Sequence, residues 1–201
     1  MISNRIHQST STALFVALFS VSSYITLPIV QIPFTAQSIF IMLSGLILGK
    51  NLAVASVMSW LLLGILGLPV FAQGGGGLAI LLSPRGGYLI GYILMAYTAG
   101  IWPTDLLQQR MSPTIRTTLR TFLLLPSMLS VYIIALPWLR WQIEGGFSFD
   151  EVNTLWHSWQ KTLFIGFFPF IFTDLVKTII VAFTYETVLR HKYSHFLSEY
   201  N

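Results

Sequence analysis

Long apolar runs alternate along this chain with short polar or Pro/Gly-rich breaks, and the pattern predicts six membrane-crossing helices. Helix 1 is expected over Ser11–Leu27, stopped by Pro28, which cannot continue a helix. Helices 2 and 3 are expected over Ala36–Gly49 and Leu52–Leu68, with Pro69 ending the second. Helix 4 covers Gly87–Trp102 and is ended by Pro103. Helix 5 covers Thr117–Trp141, with Pro126 and Pro137 as expected kinks. Helix 6 covers Phe170–Arg190. Helices 2 and 4 are short for a hydrocarbon core about 30 Å thick, so their ends are expected to extend. Between Asn153 and Phe168 the aromatic segment NTLWHSWQKTLFIGFF is interrupted by His157 and Lys161. Pro169 favours a break after it, and its Trp content favours an interfacial helix.

Composition agrees with the pattern. Of 201 residues, 54% are apolar and 9% are charged, where soluble domains average about 25% charged. The expected fold class is an all-α membrane protein, a six-transmembrane-helix bundle forming one integral-membrane domain over 1–201. Met1–Leu27 has a basic residue, Arg5, before its apolar run but no A-x-A cleavage site, so it is expected to be a retained first helix. The net charge of +4 comes from dispersed basic residues, which argues against a nucleic-acid partner and for charges that set topology. With the N-terminus inside, one side collects Arg5, Lys50, Arg110, Arg116, Arg120, Arg190 and Lys192, and the other Arg85, Arg140 and Lys161. The outer loop after helix 5 carries Glu144, Asp150 and Glu151. This asymmetry predicts both termini in the cytoplasm.

Chemistry concentrates in the last span. Asp174 and Lys177 are the only charges from Leu163 to Tyr185. A charge at the bilayer centre costs at least about 2.5–3.5 kcal/mol, so such residues face the bundle interior and pair or meet a ligand. Three residues apart, they share one helix face. They are expected to offer an acceptor (Asp174) and a cationic donor (Lys177) to a polar ligand, or else to form an internal ion pair. The segment GLPVFAQGGGGLAILLSPRGGYLIGY places six glycines between Gly74 and Gly87. Apolar residues before and among the glycines predict a folded loop that dips back and lines a cavity, the one place where irregular backbone is tolerated at membrane depth. Arg85 in this loop can bind an anionic group through its guanidinium fork or snorkel at the surface. Gln37, after the Pro-stiffened segment PIVQIPFTAQ, can bond a ligand or cap helix 2. Small residues four apart (Ala13 and Ala17, Gly45 and Gly49, Gly87 and Gly91) mark close helix contacts. The glycine pairs are expected to pack within the chain. For Ala13 and Ala17, an outer face for another subunit competes with internal packing.

Several function classes lack support. There is no cysteine and no H-E-x-x-H, G-x-S-x-G or Walker motif, so neither a catalytic centre nor a bound cofactor is expected, and ATP hydrolysis would have to come from elsewhere.

The segments IPFTAQ (Ile32–Gln37), LSGLILGKNLA (Leu43–Ala53), LLLGILGLPVFAQGGGG (Leu61–Gly77), SPRGGYLIGY (Ser83–Tyr92) and PFIFTDLVK (Pro169–Lys177) together resemble the BioY family, the biotin-binding substrate-capture components of energy-coupling factor (ECF) transporters. The likeness is thin over Pro103–Gln160. Two positions depart from the family pattern: Phe172-Thr173 replaces Pro-Gly before Asp174, and Arg85 stands where a small polar residue is common. The resemblance implies a six-helix subunit of the cytoplasmic membrane that binds biotin from outside and releases it inward. A transmembrane coupling subunit, contacting Ala13 and Ala17, and ATP-binding subunits would supply the drive. It implies that Asp174 and Lys177, joined by Arg85, meet the polar groups of biotin, while aromatic side chains such as Tyr88 and glycine backbone such as Gly77 enclose its rings. The alternatives are capture of another water-soluble vitamin, or a stand-alone facilitator.

Overall fold

The computed structural model describes residues 2–27, 34–102, 111–144 and 152–189, with side chains for 6–26, 34–102, 111–144 and 158–187. Pro28, Pro103, Arg110, Asp150, Glu151, Arg190 and Lys192 lie outside the described residues, as do the side chains of Arg5 and His157. Helix α1 spans Ile2–Ser22, ending earlier than the position of Pro28 predicts. The hydroxyls of Ser22 and Ser23 bond back to the carbonyls of Phe19 and Ser20, and the chain then enters a short ribbon. Its strands β1 (Thr26–Leu27) and β2 (Phe34–Thr35) are antiparallel, with Thr26 opposite Thr35 and Leu27 opposite Phe34.

Helix α2 spans Gln37–Ile65 but is not one straight rod. Gly49 has φ 75° and ψ 167°, a conformation that only glycine adopts readily. A straight helix would separate Gln37 from Trp60 by about 35 Å at 1.5 Å per residue. Both instead meet Phe19. The Gln37 amide donates to the Phe19 carbonyl at 3.1 Å, and the Trp60 and Phe19 rings lie edge to face with centroids 6.2 Å apart. The chain therefore folds back at Gly49, and the segments 37–48 and 50–65 are the two predicted helices 2 and 3. Gly45 packs on Ala96 and Ala99 of the following span, while Gly49 makes the turn.

The loop after Ile65 is folded. The Trp60 indole donates to the Val70 carbonyl. Phe71 and Gly75 exchange backbone hydrogen bonds of 2.9 and 3.2 Å around a 3₁₀ turn, Ala72–Gly74. The Phe71 ring lies against Gly64, where an added Cβ would sit 2.0 Å from the ring. Gly64→Ala is expected to unseat Phe71 and cost about 1–3 kcal/mol, as overpacking does, seen as a lower thermal midpoint of purified protein.

A one-turn helix α3 (Leu78–Leu81) leads to α4 (Gly86–Ala99). Gly87 and Gly91 bring α4 against Ala135, Trp138 and Val131 of the next long helix, the close packing expected of that pair. Helix α5 spans Pro113–Glu144 and is continuous through Pro126 and Pro137. It starts before Thr117 because Ser112 accepts the Ile115 N–H at 3.4 Å and Pro113 follows it. Helix α6 (Val152–Gly166) is the predicted aromatic segment. It breaks at Phe167, and Pro169 occupies the first turn of α7 (Phe168–Thr184), which runs on into a wider π turn, Tyr185–Leu189.

Among the described residues, three helical stretches are long and apolar enough to cross a membrane, Gln37–Ile65, Pro113–Glu144 and Ser158–Thr187. The first is the folded pair. The bundle comprises α1, the two arms of α2, α4, α5 and α7, matching the expected six. Its outer surface is apolar: Phe122, Ile133, Phe164 and Phe172 are 64–74% exposed, an arrangement suited to lipid. Inside lie Phe19, Ile41, Met42, Trp60, Phe71, Met95 and Leu124, each at most 2% exposed.

Helices α5 and α7 are antiparallel and carry two polar rungs. The Tyr132 hydroxyl donates to Asp174, and Arg120 pairs with Glu186 at 2.9 Å. The rungs are 12 residues apart along α5 and along α7 with its π extension, about 18 Å. Arg116 joins the second rung, its Nε 3.6 Å from Glu186. Arg116 and Arg120, counted above among the topology-setting charges, thus turn inward. Glu186, just past the apolar run, draws them into the bundle.

Candidate ligand-binding site

The first rung lies on the wall of a partly open cavity. Asp174 and Lys177 line it from α7, Val131 and Tyr132 from α5, Tyr88, Leu89, Tyr92 and Met95 from α4, Phe71, Ala72, Ile80 and Arg85 from the glycine loop, and Thr35, Gln37 and Ser38 from the ribbon and the start of α2. The glycine loop thus does line a cavity. Helical spacing puts Phe170, Asp174 and Lys177 on one inward stripe.

Asp174 is held from two sides. Its Oδ1 accepts from Lys177 Nζ at 2.9 Å and its Oδ2 from the Tyr132 hydroxyl at 2.6 Å. The Asp174 and Lys177 side chains are 11% and 16% exposed. They therefore form an internal ion pair and face a cavity at once, and the two readings left open above are compatible. The Tyr88 hydroxyl donates to the Gly166 carbonyl at 2.6 Å, tying α4 to the end of α6. Tyr88 makes an edge contact with Tyr132, and Phe170 stacks on Phe34 of the ribbon with centroids 4.3 Å apart. Arg85 donates to Gln73 at 3.3 Å from the loop side. The cavity holds about 60 Å³, well below the roughly 300–1,000 Å³ of small-molecule sites. A bicyclic ligand therefore requires the lining side chains to separate.

Five residues singled out from the sequence, Asp174, Lys177, Arg85, Tyr88 and Gln37, meet at this cavity. Gln37 also ties α2 to α1 through Phe19. Gly77 does not line it. Its N–H donates to the Gly64 carbonyl at 2.7 Å, and with φ 91° it turns the loop into α3. Ala13 and Ala17 are exposed on α1, away from the cavity. Ala13 borders a shallow cleft with Thr12, Val16, Leu52 and Ser59. Sequence reasoning missed Tyr132, although a phenol in mid-span signals a buried partner. Tyr132→Phe leaves Asp174 one donor short. It is expected to weaken ligand binding about three- to tenfold, the scale of one net hydrogen bond, measured by titration of purified protein.

An apolar exterior around an internal, charged cavity defines a multi-pass membrane protein built to hold a small polar molecule. The BioY family model matches residues 2–193. The biotin transporter BioY of Thermotoga maritima is 33% identical over 175 residues, covering 87% of this chain and 91% of that one. A probable biotin transporter BioY of Pyrococcus horikoshii is 35% identical over 173 residues, covering 85% and 90%. The crystal structure of the S-component for biotin from an ECF-type ABC transporter superposes with a TM-score of 0.68 at 23% identity, covering 94% of each chain, and shares the fold. The chain belongs to the BioY family.

Proposed function

We propose that this protein captures biotin in the cavity around Asp174 and Lys177 and delivers it across the cytoplasmic membrane as the substrate-binding subunit of an ECF-type transporter. The observation that carries the reading is the cavity's charge balance among the described residues: one carboxylate and two cations, Asp174 against Lys177 and Arg85, within an aromatic wall. Biotin combines ureido N–H donors with an apolar bicycle and a carboxylate. Asp174 accepts from the ureido group, and a cation neutralises the carboxylate. A cationic vitamin such as thiamine fits this balance poorly.

In this reading the cavity end faces outward and both termini lie in the cytoplasm. The exposed Ala13–Ala17 face of α1 receives the transmembrane coupling subunit, small side chains permitting close approach, and ATP-binding subunits supply the energy. Mass spectrometry of the small molecule released from denatured, purified protein tests the substrate. Biotin is expected, and a different vitamin in its place would overturn the assignment.

A further inference from the structure

Ser38 has a hydroxyl that helical serines rarely leave unused. Ser44 and Ser56 bond back to carbonyls three and four residues earlier, Ile41 and Leu52, as serines inside helices do. Ser38 stands at the second residue of α2, so the corresponding carbonyls, Thr35 and Phe34, belong to β2, outside the helix. Its residue is 5% exposed, its Oγ is buried with no hydrogen-bond partner among the described residues, and it lines the cavity.

The helix geometry sets its level. The first arm of α2 and helix α7 both begin at the cavity end, where Phe34 stacks on Phe170. Thr178 Oγ1 lies 4.0 Å from Met42 Sδ. One turn back along each helix are Asp174 and Ser38, which therefore flank the cavity at the same height. Asp174 already holds two donors, whereas the Ser38 hydroxyl across from it has no partner among the described residues.

We infer that Ser38 is a specificity-determining residue whose hydroxyl hydrogen-bonds the bound ligand opposite Asp174. It supplies a donor that the carboxylate cannot, suited to a carbonyl oxygen flanked by N–H groups that Asp174 accepts. This inference rests on the proposed capture of biotin and adds a contact to that site. Leaving a buried hydroxyl unpaired is unfavourable in the ligand-free protein, and the ligand removes that penalty. Ser38 therefore favours a ligand with an acceptor at this height over an isosteric one without it.

Titration of purified full-length protein with biotin, paired with thermal unfolding without ligand, tests this. Ser38→Ala is expected to raise the Kd for biotin about tenfold while the ligand-free midpoint stays equal or rises. Ser127→Ala is the control. Its hydroxyl is likewise buried and unpartnered among the described residues but does not line the cavity, and biotin affinity should not change. Wild-type affinity in Ser38→Ala, or a lower ligand-free midpoint in that variant, would overturn the inference and leave biotin capture standing. Wild-type protein that ignores biotin would overturn both.

Discussion

Asp174→Ala is expected to raise the Kd for the bound ligand by about 30-fold to several-thousand-fold, equivalent to about 2–5 kcal/mol, the scale for truncating one member of a buried, hydrogen-bonded charge pair. The size follows from how many groups depend on this carboxylate. Lys177 Nζ sits 2.9 Å from one oxygen and the Tyr132 hydroxyl 2.6 Å from the other. Removing the carboxylate leaves an ammonium in a largely apolar cavity with no counter-charge on its own helix, and a phenol with no acceptor. It also removes the group proposed to accept from the ureido nitrogens. Asp174→Asn separates these effects. The amide oxygen can still accept from Tyr132, but the charge is gone, so a smaller loss is expected. Isothermal titration of the two variants beside wild type measures both. Equal affinity in all three would show that Asp174 organises the bundle without touching the ligand.

The second large effect is on stability. Glu186→Gln should lower it by about 3–5 kcal/mol, because two guanidiniums then share a buried pocket with a neutral amide. Arg120 and Glu186 are both fully buried, and Arg120 also lies over the Tyr185 ring at 5.0 Å. For a chain of this length the loss corresponds to a midpoint lower by about 6–20 °C in thermal unfolding. Lost packing and lost charge pairing are told apart by a double replacement, Arg120→Met with Glu186→Leu. It removes both charges at similar volume, so most of the stability should return. A double variant as unstable as Glu186→Gln would place the effect in packing.

These two rungs also show what the sequence could and could not disclose. Asp174 and Lys177 were legible because a charge inside an apolar run is too costly to be incidental. The glycine loop was legible because its apolar residues had no reason to sit in a flexible linker. Tyr132 and Ser38 were not, since a phenol and a hydroxyl are common in spans and only the register of α5 and α2 against α7 decides which face the cavity. Arg116 and Arg120 were legible as charges but not as partners. Near a helix start they look like surface cations, and nothing in their own segment points to Glu186, 66 residues beyond Arg120. Gly77 illustrates the converse. Six neighbouring glycines read alike in one dimension, yet Gly77 turns the loop into α3 while Gly64, upstream, seats Phe71. The fold-back at Gly49 followed from the break between two apolar runs, although each arm stays shorter than the roughly 20 residues that span a hydrocarbon core.

The occupancy of the cavity can be measured without disturbing any group that holds the ligand. The chain has no cysteine, so a single Ala72→Cys substitution places one thiol on the cavity wall, and Ala13→Cys places one on the distant face of α1. Rates of modification by a small methanethiosulfonate reagent are then compared with and without biotin. Biotin should slow modification at position 72 strongly and leave position 13 unchanged. Modification at position 72 that proceeds at the same rate in saturating biotin would contradict the account.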